Sequence, residues 1–271
     1  MDKLKAKAFE LRKEVVNLIY QNKGGHMGGD LSVMDILVTL YYKEMNIAGC
    51  NMNDKNRDRF ILSKGHSVES LYVVLADLGF FPKEDLTTFS KYQSNYIGHP
   101  NNKINGIEMN SGSLGHGLSV ACGMALAGKK DGLDYRVYTV MGDGELAEGS
   151  VWEGAMFAGH YKLDNLCAVI DRNGLQISGT TEEVMSQTNL RERFESFGWH
   201  VIDVNGNNIE ELVKGFQLAK ETKHKPTILI ANTTKGYGVS FMENQLSWHH
   251  RVPTSEEYNS AVKELDERGR Q

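Results

Sequence analysis

Residues 135–181 constrain the fold of this chain more than any other stretch. A β-branched and aromatic run at 136–141 ends at the sequence GDG, and an apolar run at 165–171 ends at RNG. The segment between them, 148–161, has helical spacing. In a right-handed strand–helix–strand unit, both parallel strands end at the same edge of the sheet. We therefore expect an α/β fold, a parallel sheet flanked by helices on both faces, with a ligand site at that edge.

The residues at this edge favour one kind of chemistry. Asp143 offers a carboxylate and Asn173 an amide oxygen, and the adjacent glycines let a ligand approach the backbone closely. Hard oxygen donors without Cys or His suit Mg²⁺ that shares its coordination sphere with phosphate. A cofactor with a diphosphate group is therefore expected. Taken alone, a Gly-Asp-Gly triplet is more often an ordinary turn at the end of a strand.

The spacing and order of the motifs point to a known family. Asn173 follows Gly144 after 28 intervening residues, which resembles the thiamine diphosphate motif. Six segments also follow one another in the order seen in transketolases: GGHMGGDLS, FILSKGHSVESLY, IGHP, SGSLGHGLS, GDGELAEGSVWEG, and TTKGYG with SWHH. This similarity to transketolases extends from about Phe9 to Pro253, and implies the thiamine diphosphate-binding fold.

The resemblance implies two cofactors, thiamine diphosphate and Mg²⁺ or another divalent cation such as Ca²⁺ or Mn²⁺. The implied metal ligands are Asp143, Asn173 and the backbone carbonyl of Leu175. The implied cofactor-binding residues are His66, Gly112, Leu114, Gly142, Asp143, Gly144, Glu148 and Asn173. Glu148 has an equally good second interpretation, because a glutamate near a helix N-terminus is favoured by the helix dipole.

Four loop histidines are the candidate catalytic residues: His26, His66, His99 and His249. Any one of them alone is more often an ordinary loop residue. In transketolases the matching imidazoles surround the thiazolium carbon, bind the hydroxyls of the sugar donor and help to move a proton. The implied reaction breaks a C–C bond of a ketose and carries a two-carbon ketol unit to an aldose, with the cofactor as electron sink.

Two motifs differ from the family pattern. Transketolases commonly have Pro-Leu-Gly-Gln where this chain has SLGH at 113–116, and Trp-His-Gly where it has WHH at 248–250. His249 is assigned by position, and the roles of His116 and His250 stay open.

No segment of this sequence resembles the pyrimidine-binding domain of a full transketolase. We therefore expect the N-terminal subunit of a split transketolase, completed by a C-terminal subunit in a heterotetramer of two heterodimers. Its substrates would be sugars or sugar phosphates, as in the pentose phosphate pathway. The alternatives are a 2-oxo acid dehydrogenase α chain, a deoxyxylulose phosphate synthase-like protein, and a non-catalytic cofactor-binding module. The interface is expected to expose apolar surface around Leu114, Val151 and Trp152, with Met156 extending it along a helix.

Composition agrees with a single enzyme domain over residues 1–271, with a helical tail from about 254. A net charge of −5 and a pI near 6.0 argue against nucleic acid as a partner. The three cysteines lack metal-ligand spacing and suggest a reducing compartment. Because no apolar run approaches membrane-spanning length, no membrane partner is expected and the predicted location is cytoplasmic.

Local patterns predict further elements. Ser32 with Asp35 resembles a capping box for a helix that continues to about 42, and Thr254 with Glu257 resembles another. Other predicted helices cover 3–22, 115–129, 190–197 and 209–222, with one ending at 78, and other predicted strands cover 60–63, 199–204 and 227–232.

Overall fold

A five-stranded parallel sheet forms the centre of the computed structural model, which describes residues 1–270 apart from the side chain of Cys50. Its strands are β1 (Arg59–Leu62), β2 (Val137–Gly142), β3 (Leu166–Arg172), β6 (His200–Asn205) and β7 (Thr227–Asn232). They lie in the order β1-β2-β3-β7-β6, and every neighbouring pair is parallel. A short antiparallel pair, β4 (Leu175–Gln176) and β5 (Gly179–Thr180), follows β3.

Helices occupy most of the remaining chain. They are α1 (Asp2–Asn22), α2 (Met27–Thr39), α3 (Val68–Asp77), α4 (Gly117–Asp131), α5 (Gly149–His160), α6 (Thr181–Val184), α7 (Leu190–Ser196), α8 (Ile209–Glu221) and α9 (Ser255–Arg268). A π-helical segment, Leu40–Glu44, continues α2, and short 3₁₀ turns include Gly65–Ser67 and Gly144–Ala147. No helix among the described residues is both long and apolar enough to cross a membrane.

Each face of the sheet covers its own hydrophobic core. Tyr138 and Val140 of β2 pack with the apolar residues of α1, α2, α3 and α8. Val137 and Met141, which alternate with them along the strand, pack on the other face with residues of α4, α5 and α7. This alternation follows from the two-residue period of a strand, so both strand faces must be apolar. The predicted α/β fold with helices on both faces is confirmed.

The start of α2 differs from the prediction. The helix begins at Met27, and the capping-box interpretation of Ser32 is wrong, because Ser32 lies inside the helix and is fully buried. Its hydroxyl donates to the Asp171 carboxylate at 2.7 Å instead and lies 3.0 Å from Gly29 O. A Cβ at Gly29 would lie 2.9 Å from Ser67 Oγ, so glycine allows close packing here. Tertiary packing therefore overrides the low helix propensity of two consecutive glycines.

The C-terminal helix α9 packs against α1. Thr254 and Glu257 form the expected capping box, and Ala261 and Leu265 are buried against the first helix. Lys13 donates to Asp266 at 2.7 Å across the same contact. The predicted helical tail is thus an integral part of one of the two cores.

A buried ion pair between α1 and α2 supports the first prediction. Arg12 is fully buried, and its guanidinium donates to Asp35 Oδ2 at 2.5 Å and to Leu31 O at 3.0 Å. Arg12→Ala should lower the free energy of unfolding by about 3–5 kcal/mol, because it leaves a buried carboxylate without its cation. Lys13→Ala removes an exposed pair on the same helix and should cost less than about 1 kcal/mol. Urea unfolding of both variants measures the difference, and equal losses would contradict this account.

Candidate functional site

The candidate site is a cavity of about 380 Å³ at the carboxyl ends of β1, β2 and β3. The loop after β7 closes one side of it. It is lined by Lys64, His66, Gly112, Leu114, Gly142, Asp143, Gly144, Glu145, Asn173, Leu175, Gln176, Ile177, Lys235 and His249. Most residues assigned from the sequence are therefore brought together at the edge where parallel strands end.

Asp143 joins the turns that follow β2 and β3. Its carboxylate accepts hydrogen bonds from the backbone N–H of Gly144 at 2.9 Å and of Gly174 at 2.6 Å. The residue is 2% exposed, and burial raises the pKa of its carboxyl to about 6, against the effect of the Gly174 hydrogen bond. A divalent cation would favour the ionised carboxylate. The side chain is thus buried, oriented and suited to hold a metal.

The other predicted metal ligands lie beside Asp143. Asn173 Oδ1 accepts from the Leu175 N–H at 3.2 Å, and its amide nitrogen lies 3.4 Å from Ser32 Oγ. The Leu175 carbonyl accepts from Lys235 Nζ at 3.1 Å. No cluster of three His, Cys, Asp or Glu side chains suited to a metal occurs in the described part of the chain. One carboxylate, one amide and one carbonyl agree with a cation that also binds phosphate oxygens.

Two buried lysines also face the cavity, and the sequence reasoning gave them no role. Lys64 is 1% exposed and pairs with Asp171 at 2.5 Å, while Lys235 is 2% exposed and bonds His249 Nδ1 at 2.9 Å. Burial, reinforced by the charge of Lys64, lowers the pKa of Lys235 to about 8. Both lysines lie inside motif segments, SKGH and TTKGYG, but the sequence does not show that their side chains face the same cavity.

Glu145 is a second buried carboxylate that the sequence reasoning missed. It accepts from the backbone N–H of Gly115 at 2.8 Å and of Gly142 at 3.1 Å, and from the Ser63 hydroxyl. These bonds connect Glu145 to the ends of β1 and β2 and to the loop before α4. Burial raises the pKa of the Glu145 carboxyl. Glu148, the predicted cofactor contact, is exposed at the N-cap of α5 and lies outside the cavity lining of this chain.

The four predicted catalytic histidines form one cluster, with His26 at its centre. The His26 ring lies 5.4 Å from His66, 6.1 Å from His99 and 5.8 Å from His249, measured between ring centroids. His250 joins this cluster at 4.7 Å from His26. A Cβ at Gly112 would lie 2.7 Å from the His99 ring, so glycine permits the close contact there.

The four predicted histidines of this cluster are held in the neutral form. Burial lowers the pKa of His26 to about 4 and that of His249 to about 3, and it lowers the pKa of His66 well below the ordinary value. The pKa of His99 is also lowered by burial. Because Lys235 donates to His249 Nδ1, the geometry assigns the proton of His249 to Nε2. Neutral rings can each donate and accept a hydrogen bond.

The apolar residues expected at the subunit interface differ in exposure. Val151 is fully buried, so the expectation that it is exposed is wrong; it points into the core between α4 and α5. Trp152 is half-buried against Phe194, whereas Met156 is 49% exposed. His116 is exposed, and its Nδ1 lies 3.1 Å from the carbonyl of Leu114.

Known proteins match the chain over almost its whole length. Residues 4–265 match the family described as transketolase, thiamine diphosphate binding domain. One subunit of an apulose-4-phosphate transketolase from Phocaeicola vulgatus is 51% identical over 257 residues, which are 95% of this chain and 92% of that protein. The chain belongs to the transketolase family.

Other transketolases show which part of the family this chain represents. A 6-deoxy-6-sulfo-D-fructose transketolase subunit from a Clostridium species is 41% identical, over 98% of this chain and 97% of that protein. Human transketolase is 42% identical over 91% of this chain, but this chain covers only 39% of it. The solved transketolase from Campylobacter jejuni superposes with a TM-score of 0.92 at 32% identity, and the match covers 98% of this chain and 43% of that one.

This transketolase chain is therefore an N-terminal, thiamine diphosphate-binding subunit, as the motif order predicts. It spans nearly the whole of the relatives that are themselves single subunits, and about two-fifths of the longer transketolases. The assignment to an enzyme of this class is confirmed. The dehydrogenase and deoxyxylulose phosphate synthase interpretations are not favoured.

The lowered pKa of His26 makes the stability of this transketolase chain depend on pH. The folded chain binds fewer protons than the unfolded chain between about pH 4 and 6.5, so stability is lost as the pH falls through this range. Replacing His26 with Asn should reduce the loss between pH 7 and 4 by on the order of 2 kcal/mol, allowing for the partial exposure of the ring. Urea unfolding at several pH values measures it. His116→Asn, at an exposed position, is the control, and an unchanged acid slope in His26→Asn would contradict the prediction.

Proposed function

We propose that the cavity binds thiamine diphosphate through Mg²⁺, and that this subunit transfers a two-carbon ketol unit from a ketose to an aldose together with a second chain. The proposal is supported by the proximity of two kinds of groups, oxygen ligands for a metal and a cluster of histidines. Asp143, Asn173 and the Leu175 carbonyl lie beside two buried lysines, next to a cluster of neutral imidazoles. The first set suits a metal-bound diphosphate, and the second suits a polyhydroxylated substrate.

The diphosphate end of the site would be held by charge and by backbone groups. Asp143, Asn173 and Leu175 would share the cation with phosphate oxygens. Lys235 adds a buried positive group that would offset part of the charge of a diphosphate, beside Lys64, which is paired with Asp171. Gly112 and Leu114 lie on the same cavity wall and would contact the organic part of the cofactor.

The imidazole cluster would orient the sugar and move its protons. When bound, the cofactor supplies the electron sink for breaking a C–C bond beside a ketone. His26 Nδ1 is buried and has no hydrogen-bond partner among the described residues, so it is available to a substrate hydroxyl. His66, His99 and His249 present further neutral rings around it, each able to accept a proton from a hydroxyl or return one.

The names of the relatives support a proposal for the substrate and the partner. The names of two relatives that match over nearly their full length specify apulose 4-phosphate and 6-deoxy-6-sulfo-D-fructose, and both are called subunits. We therefore propose a ketose or ketose phosphate donor, of which pentose phosphates are one class. A separate C-terminal subunit would supply the pyrimidine-binding side, in a heterotetramer of two heterodimers in the cytoplasm. Exposed Met156, on the helix after the Gly-Asp-Gly turn, would contribute to that interface.

The metal assignment predicts the behaviour of Asp143→Ala. This change removes the formal negative charge among the proposed ligands, so affinity for thiamine diphosphate with Mg²⁺ should fall about a hundredfold or more in the assembled enzyme. Isothermal titration calorimetry measures the affinity with and without Mg²⁺. Asp134→Ala, at an exposed position after α4, is the matched control. An unchanged, metal-dependent affinity in Asp143→Ala would refute the site.

The proposed activity requires a partner chain and the histidine cluster. The isolated chain, saturated with thiamine diphosphate and Mg²⁺, should not transfer ketol units, and adding a C-terminal transketolase subunit should restore transfer. In the assembled enzyme, His26→Ala or His99→Ala should lower kcat by about 10²–10⁴, because a group that handles protons or positions the sugar is lost.

Measurements on single variants test this interpretation of the cluster, and the isolated chain tests the need for a partner. Cofactor affinity should remain close to wild type in both histidine variants, which separates substrate handling from metal binding. His160→Ala, near the C-terminal end of α5 and outside the cavity lining, should keep wild-type turnover. Substantial turnover by the isolated chain would overturn the need for a partner, and wild-type kcat in His26→Ala would remove the role of the cluster.

A further inference from the structure

Two carboxyl side chains, Asp30 and Glu69, are buried together behind the histidine cluster. Asp30 lies in the first turns of α2 and Glu69 in the first turn of α3, and both are fully buried. Neither side chain takes part in a salt bridge among the described residues. The charge of Lys64 acts on the pKa of Asp30, but the Lys64 ammonium is bonded to Asp171 at 2.5 Å and to Gly29 O at 3.0 Å.

Three of the four oxygens of the two carboxyls lack a hydrogen-bond donor among the described residues. Asp30 Oδ1 accepts from the Ser70 N–H at 2.8 Å, while Asp30 Oδ2 and both oxygens of Glu69 have no donor of good geometry among the described residues. Ser70 bonds Asp30 through both its N–H and its hydroxyl, which places the preceding residue, Glu69, beside Asp30. Two ionised carboxylates buried side by side without a paired cation would repel, and three of their four oxygens would lack a donor. One proton between them removes the repulsion and provides the missing donor.

The same pair lies against the turn that carries His26. A Cβ at Gly25 would lie 2.8 Å from Glu69 Oε1, and the backbone N–H of His26 faces the Glu69 carboxyl. The N–H of Asp30 donates to His26 O at 3.1 Å, so both members of the pair contact the backbone of this turn. Because His26 is the central ring of the cluster, a shift of this turn changes its distances to the other imidazoles.

We propose that Asp30 and Glu69 share a single proton at neutral pH and that this carboxyl pair is a positioning device for the Gly25–His26 turn. The part of the inference that concerns turnover rests on the proposed function of the cluster. The proton sharing does not, because it follows from burial, geometry and charge alone.

The shared proton fixes the sign of a pH effect. Burial raises the pKa of Asp30 to about 7, against the ionising influence of the Ser70 hydrogen bonds and Lys64, and it raises the pKa of Glu69 well above the ordinary value. Burial raises the pKa of Tyr72, and the charge of Glu69 acts in the same direction. The folded chain holds more protons than the unfolded chain above about pH 4, so the stability contributed by the pair is fully present below that pH and is lost as the pH rises from there through the pKa of about 7.

Infrared spectroscopy and thermal unfolding of the isolated chain test the shared proton. Wild type at pH 7 should show a protonated-carboxyl absorption that Glu69→Gln lacks, since the amide donates to Asp30 without an added proton. As the pH rises from about 5 to 8, the Tm of wild type should fall relative to that of Glu69→Gln. Glu10→Gln, at an exposed position of α1, should match wild type in both measurements. An absorption and a Tm slope unchanged by Glu69→Gln would overturn the proposal, and Asp30→Asn gives a second, independent comparison.

Turnover of the assembled enzyme tests the positioning role. Glu69→Ala should lower kcat about ten- to a hundredfold while leaving the affinity for thiamine diphosphate close to wild type, because a small misplacement of His26 affects chemistry more than cofactor binding. Glu69→Gln should recover most of the loss and flatten the alkaline limb of the kcat profile. Wild-type kcat and pH profile in Glu69→Ala would overturn the positioning role. If wild type with its partner shows no ketol transfer, the proposed function fails, while the infrared and Tm measurements still decide the shared proton.

Discussion

One carboxylate, that of Asp171 at the end of β3, connects the segments from which the site is built. Its Oδ2 accepts from Lys64 at 2.5 Å and from Ser32 at 2.7 Å, and its Oδ1 accepts from the Thr233 hydroxyl. These three partners come from the end of β1, the buried helix α2 and the loop after β7. Since both Asp171 and Lys64 are fully desolvated, breaking the pair by removing one partner would leave a buried charge. The relative positions of the cofactor-binding edge and the histidine loops depend on this contact.

The fold was predictable wherever the sequence pattern is local. The β-branched and aromatic run of β2 and the helical spacing of α5 predict the central unit, and the glycines at 142 and 144 mark the end of the strand. The start of α2 was not predictable, because Gly28 and Gly29 disfavour a helix until surrounding residues pack against them. The burial of Val151 was not predictable for a similar reason, because its position in the first turn of α5 does not show which face of the helix packs against the core.

In the site, residues placed by the backbone could be predicted, whereas those whose role depends on side-chain direction could not. The proximity of Asp143 and Asn173 could be predicted because the ends of parallel strands converge, and the grouping of the histidines because family motifs mark them. Lys64 and Glu145 lie in those same motifs, yet their roles depend on side-chain direction. Whether a carboxyl such as Glu69 faces water, a lysine or another carboxyl is decided by contacts between residues far apart in sequence, and local periodicity carries no information about them.

The contact between α1 and α9 has a consequence for how the chain acquires its structure. Ala8 and Phe9 near the start of the chain belong to the same core as Ala261 and Leu265 near its end. Closing so long a loop is entropically costly, and contacts of such sequence separation form slowly. During synthesis, the apolar face of the first helix has no partner from α9 until the ribosome has passed residue 265. We expect final docking of this layer to follow translation, with α1 exposed to chaperones in the interval.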